Sequence, residues 1–139
     1  RVWKYHASPS ELRAHRIEVA ERFYADYTQG KKAGRYSVGK LTQLSDSASS
    51  YELSLSSHFL FLYSEQFDTA FHIAAIQEML RVSAEARIFP LLALIQRRSP
   101  HFLPVTLHLE RLGYLCNIET VDYELQPGGN EMLRIVKAT

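Results

Sequence analysis

The sequence predicts an α/β domain with a mostly parallel sheet that ends in one antiparallel hairpin. Three observations carry this. Tyr51, Leu53 and Leu55 alternate with Glu52, Ser54 and Ser56, the period-two pattern of a strand. Downstream, strand-like runs alternate with stretches of helical spacing, the order of βαβ units. The last two strand-like runs are separated only by Gln126-Pro127-Gly128-Gly129-Asn130, a turn sequence that forces them antiparallel.

In chain order, residues 1–7 alternate crudely around Val2, Trp3 and Tyr5 and read as a short strand or a surface-packed segment. Ser8-Pro9-Ser10-Glu11 is a helix start, with Ser8 as cap, Pro9 in the first turn and Glu11 completing a capping box. Leu12, Ile17, Ala20, Phe23, Tyr24 and Tyr27 form its apolar stripe, and Gly30 is its expected stop. Gly30-Lys31-Lys32-Ala33-Gly34-Arg35-Tyr36 is either a solvated helix exit or a ligand-facing basic loop, since no GK[ST] follows a strand. Residues 36–44 are weakly strand-like, and residues 45–50 are a polar turn.

The strand over 51–58 runs into Ser57-His58 and then the aromatic stretch Phe59 to Tyr63. A helix is expected over Phe67 to Val82, on the spacing of Phe71, Ala74, Ala75, Met79 and Val82. Ala86 to Leu92 reads as a buried strand closed by Pro90. Ser99-Pro100-His101 opens another helix, striped by Phe102, Val105, Leu109 and Leu112 and stopped by Gly113. Strands over Leu115 to Leu125 and Met132 to Lys137 complete a single domain over 1–139.

Composition bounds the function. The chain carries 16 basic and 15 acidic residues, a net charge of +1, and no cationic stripe interleaved with aromatics, so a nucleic-acid partner is not indicated. One cysteine, Cys116, allows neither an intramolecular disulfide nor a cysteine-based zinc cluster. No apolar run reaches the roughly 18 residues of a membrane span, no signal-peptide pattern opens the chain, and a cytoplasmic protein is the expectation. Position 1 is Arg rather than Met, and the chain reads as a piece of something longer or as an associating unit.

Catalytic signatures such as GxSxG, HExxH and GxGxxG are absent. His58 is the leading candidate. Either it lines a pocket at a strand's carboxyl end and titrates near neutrality, or it is a partly buried histidine that caps a strand-to-helix turn through one hydrogen bond. Ser57 divides in the same way, as a ligand-contacting hydroxyl or a turn residue. Phe59, Phe61 and Tyr63 are core or pocket wall, and Asn130 completes the hairpin turn or faces a ligand. Cys116 reads as a small core residue.

Leu44-Ser45-Asp46-Ser47-Ala48-Ser49-Ser50-Tyr51-Glu52-Leu53 resembles the LPFxDxSFDLV pattern of class I S-adenosylmethionine-dependent methyltransferases. Leu44, Ser50 and Leu53 match, Tyr51 and Glu52 are close substitutes, and Ser45 replaces the proline. SHFLFLY, RIFPLL and the Pro127-Gly128-Gly129-Asn130 turn are similar to a little-characterised bacterial branch of methyltransferase-like proteins. The resemblance implies the C-terminal half of a Rossmann-like fold, with helices on both faces of the sheet. The strands would be the family's fourth to seventh, the seventh inserted antiparallel between fifth and sixth. The family's first strand, its glycine-rich loop and the acidic end of its second strand have no counterpart here.

By the same resemblance, the cofactor would be S-adenosylmethionine. It would touch Ser57 and His58 and, through the Gly39-Lys40-Leu41 triplet that replaces the family's GDA-like one, Lys40 and Leu41. His58 would be the catalytic residue. Phe59, Tyr63 and Asn130 would face an acceptor substrate of unknown class. The unmatched edge of strand 51–58 would pair with the family's first strand or, in a homodimer, with a second copy. The alternative to an enzyme is a non-catalytic binding or interaction module on the same fold.

Overall fold

The computed structural model describes residues 5–138, so Val2 and Trp3 lie outside the described residues. The described residues divide into two compact units, one up to Val38 and one from Gly39.

The first unit is built on α1, Pro9–Lys32. Ser8 is extended and its Oγ accepts from the Glu11 N–H at 3.1 Å, while Glu11 reaches back to the Ala7 N–H at 2.6 Å. Pro9 sits where a helix needs no N–H. The expected stop at Gly30 is corrected: the helix runs through it, and the left-handed residue is Gly34, at φ +72°. Gly30 serves a close approach instead, because a Cβ there would lie 2.5 Å from Cε2 of Tyr36. Tyr36 meets Tyr27 and Phe23 edge-on, and Arg35 grips Asp26 through two 2.7 Å bonds. That pair holds the Asp26 carboxyl below its ordinary range. Lys31 and Lys32 lie in the last turn of α1, and Gly34 makes the helix exit.

The second unit is a four-stranded sheet with two helices. Its elements are β1 (Tyr51–Ser57), α2 (Thr69–Val82), β2 (Ser83–Phe89), α3 (Phe102–Arg111), β3 (Tyr114–Thr120) and β4 (Glu131–Lys137). The sheet order is β1-β2-β4-β3. β1 and β2 are parallel, with Ser54 beside Ala86 and Ser57 beside Phe89. β4 is antiparallel to both neighbours, pairing Leu133 with Ile88 on one side and with Ile118 on the other. The expected α/β class holds, as a mixed sheet.

Alternation decides which face is covered. Ala86, Ile88, Leu133 and Ile135 are fully buried, and they form one cluster with Ala75, Ile76 and Met79 of α2 and Val105 and Leu109 of α3. On the opposite face the central positions are Glu85, Arg87 and Arg134, which pair with one another. Within this unit both helices therefore lie on one face. The other face carries a charged centre beside the exposed Tyr51, Leu53 and Leu55 of the edge strand.

Several boundaries differ from the sequence reading. Residues 36–44 form no strand, only an isolated bridge between Lys40 and Gln43, and Leu44 is held by α2. There, Leu44 N–H donates to Glu78 and Leu44 C=O accepts from Arg81. α2 begins at Thr69 rather than Phe67, since Asp68 is its cap and accepts from the Phe71 N–H. β2 starts immediately after α2 and ends at Phe89, before Pro90. β3 stops at Thr120 instead of Leu125, because its partner begins at Glu131. No helix among the described residues is long and apolar enough to cross a membrane.

Candidate functional site

The site grows from the carboxyl end of β1, where open α/β sheets place their ligand clefts. Ser57 is the last strand residue, and His58 turns the chain with φ +56°. A non-glycine residue in that region costs about 1–3 kcal/mol and persists where surrounding contacts fix it. Here the His58 N–H donates to the Phe89 carbonyl at 2.7 Å, which extends the parallel ladder one step past the strand.

The imidazole is held on two sides. Nδ1 lies 2.7 Å from the Ser57 hydroxyl oxygen. The ring meets the Phe89 ring edge-on at 5.3 Å and the Tyr123 ring at 6.2 Å and 86°. Nε2 is buried and has no hydrogen-bond partner among the described residues. A buried polar atom left unsatisfied costs about 1–3 kcal/mol, so this one marks a place for a hydrogen-bonding group.

β4 runs antiparallel to β2, so Asn130 at its start falls at the same end of the sheet as Ser57 and His58. Its carbonyl accepts from the Val121 N–H at 2.8 Å and thereby closes the connection that carries Tyr123. Gly129 N–H bonds the Gln126 carbonyl inside that connection. Tyr123 and Phe89 are site residues that sequence reasoning missed. The available signal was Tyr123 as the lone aromatic between β3 and the Pro-Gly-Gly turn.

Phe59 and Tyr63 face a different neighbourhood. Phe59 packs with Tyr63, Phe67 and Phe71, and Phe67 stacks on Phe71 at 4.2 Å. These rings are partly buried, apart from the more exposed Tyr63. Lys40 and Leu41 are not gathered with His58. Lys40 is exposed, Leu41 packs against the core, and the segment they lead into is anchored at Glu78 and Arg81, in the last turns of α2. Glu78, held by Arg81 and the Leu44 N–H, has its carboxyl lowered to about 2.

A second polar cluster holds the loop from behind. His72 is fully buried; its Nε2 accepts from the Phe61 N–H at 3.0 Å, so Nδ1 carries the proton and donates to the Asp68 carbonyl at 2.7 Å. Burial, more than any neighbouring charge, depresses its pKa. His101 stacks on His72 at 4.8 Å and bridges Thr69 Oγ1 to the Ser64 carbonyl. The Ser64 hydroxyl donates to the Phe61 carbonyl and lies 2.7 Å from Ser99 Oγ. Each side-chain nitrogen and hydroxyl of this network has a partner, so it braces the loop.

Cys116 packs against the core, and burial pushes its thiol up to about 11, away from nucleophilic chemistry. No group of three or more potential metal ligands gathers among the described residues.

No protein-family model matches the chain, and no solved structure matches it. An uncharacterised protein of Methanocaldococcus jannaschii is similar to it, 33% identical over 135 residues. That alignment takes in 96% of this chain and 57% of the relative, so the chain spans a little over half of the relative's length.

Proposed function

We propose that this chain supplies the C-terminal half of a class I S-adenosylmethionine-dependent methyltransferase fold. The observation that carries the reading is the sheet order β1-β2-β4-β3, with the last strand antiparallel between its neighbours. That is the order expected of the family's fourth, fifth, seventh and sixth strands.

The cofactor's fit is partial. Ser57 and His58 stand at the strand end where the family borders cofactor and substrate, and the orphaned Nε2 suits a hydrogen-bonding guest. Lys40 and Leu41 do not converge on them, so this chain provides one wall of a cofactor site. S-adenosylmethionine, when bound, supplies an electrophilic methyl group. The chain's own contribution is at His58: Ser57 fixes Nδ1, leaving Nε2 to orient an acceptor nucleophile or take its proton. Orientation is the main catalytic resource in such a transfer.

Calorimetric titration of S-adenosylhomocysteine tests the reading, with this chain compared with a longer protein that contains it. Binding by the longer protein but not by this chain supports it. Binding by neither favours a non-catalytic module. A second reading, a homodimer joined through β1, is favoured by the exposed Tyr51, Leu53 and Leu55 on an edge strand. Sedimentation at several concentrations decides that question, and a strict monomer sinks it.

A further inference from the structure

We infer that His6 and His15 form a surface site for a tetrahedral divalent ion of the zinc class, bound through Nε2 of His6 and Nδ1 of His15. These two nitrogens lie 2.9 Å apart and the ring centroids 5.2 Å apart, with the rings tilted by 40°. The rings thus meet nearly head-on, nitrogen to nitrogen. Two imidazoles bonded at about 2.0 Å to one tetrahedral ion have nitrogens about 3.3 Å and centroids about 5.1 Å apart. The ring centres already stand at that separation, and each ring reaches the ion by turning in place. Ligands at right angles, as on square-planar copper, would need the centroids drawn in to about 4.5 Å.

A site of two ligands depends on how firmly both are held. His15 stands in the second turn of α1, on regular helix. His6 precedes the helix, and the capping box is what brings it to His15. Glu11 Oε2 accepts from the Ala7 N–H at 2.6 Å, and the Glu11 N–H donates to Ser8 Oγ at 3.1 Å. The residue after His6 is therefore tied to the first helical turn, so little chain freedom is lost when an ion closes the pair. Charge favours a cation as well. Glu11 and Glu18 flank His15 one turn away on the same side of the helix, at i−4 and i+3. Glu18 shares its charge with Arg22, 3.9 Å away. The positive end of the helix dipole opposes a cation, but it acts within the first turn, where Glu11 offsets it.

Binding uses both lone pairs. In the hydrogen-bonded pair one ring donates to the other; that ring moves its proton to its second nitrogen through water, and the ion takes the place of the shared hydrogen. No third His, Cys, Asp or Glu gathers there among the described residues, so water fills the remaining positions of the ion. The site lies wholly in the first unit, and it and the methyltransferase reading stand or fall separately.

The test is titration of the isotope-labelled chain with zinc chloride, followed by two-bond proton–nitrogen correlation spectra of the histidine rings. His6 Nε2 and His15 Nδ1 should shift together and saturate with a midpoint below about 1 mM zinc, while the rings of His72 and His101 stay unchanged. His6→Ala and His15→Ala should each raise the zinc Kd at least about tenfold, because the single remaining ligand loses the advantage of a linked second one. Far-ultraviolet circular dichroism checks that α1 persists in each variant. Should a variant lose the helix, the wild-type spectra decide alone, through which nitrogens shift. Zinc held by the other nitrogen of either ring, a titration that does not saturate, or a Kd within about threefold of wild type in a folded single variant overturns the inference.

Discussion

The backbone N–H of Phe61 donates to Nε2 of His72, a fully buried ring that stacks against Phe61 at 5.2 Å. A main-chain donor can bond that nitrogen only while it is unprotonated, so the loop bearing His58, Phe59 and Tyr63 is tied to a neutral histidine.

Stability should therefore depend on pH through His72. Its folded pKa lies below the ordinary 6.5, so the unfolded chain binds the proton more readily. The contribution is fully present above about 6.5 and is lost as pH falls from there through the lower folded value. Urea unfolding followed by circular dichroism from pH 8 to 5 should show the fall. His72→Phe should flatten it and cost about 1–3 kcal/mol at pH 8, because the buried Phe61 N–H loses its acceptor.

A second acid-sensitive step belongs to the sheet's open face. Glu85 bonds Arg134 and Arg87, and first the Arg134 contact, then the Arg87 one, lowers its carboxyl to about 2. Its contribution is present above the ordinary 4.5 and is lost as pH falls through about 2. Glu85→Gln should shallow the decline of the urea midpoint between pH 4.5 and pH 2 while leaving the His72 step unchanged.

Core and edge should respond differently to truncation. Ile135 is fully buried and pairs with Ala86 and Cys116 across both ladders of β4. Ile135→Ala should cost about 2–5 kcal/mol. Leu55 on the edge strand is 70% exposed, and Leu55→Ala should stay within about 0.5 kcal/mol. Equilibrium unfolding of the two variants side by side checks the contrast.

Gly113 ends α3 at φ +88° with open space where a Cβ would go. Gly113→Ala should destabilise by about 1–2 kcal/mol through backbone strain alone. A chemical denaturation midpoint unchanged from wild type would contradict that origin.

The parts of this fold that could be read from the chain are those in which local chemistry and tertiary packing agree. Ser8-Pro9 and Glu11 cap α1 as their side chains dictate, and the period-two run from Tyr51 is a strand, although its apolar Tyr51, Leu53 and Leu55 stand exposed and Ser54 is the residue that meets α2. The misreadings arose where a distant contact overruled a local signal. Gly30 looks like a helix stop, yet it is small to admit Tyr36. Residues 36–44 look extended, but Leu44 is pinned by Glu78 and Arg81, more than thirty positions away. The site divides the same way. Ser57 and His58 announce themselves by interrupting an apolar strand, whereas Tyr123 reaches His58 only through the return of β4. Lys40 and Leu41 were placed by resemblance, and no pattern in the residues themselves set them near His58.

The central position of β4 has a consequence for how the molecule assembles. β2 and β3 are not neighbours; β2 gains its second partner, and β3 its first, only when the fourth strand in sequence slides between them. Until then the chain holds a two-stranded parallel ribbon and a solitary strand, with Ile88 and Ile118 both waiting for Leu133. Such non-local closure is slow compared with the helices, which form from nearby residues. Quality control in the cell would thus meet an all-or-nothing object: a chain cut just before Glu131 loses not an edge but the middle of its sheet, and with it the ordered end on which His58 depends.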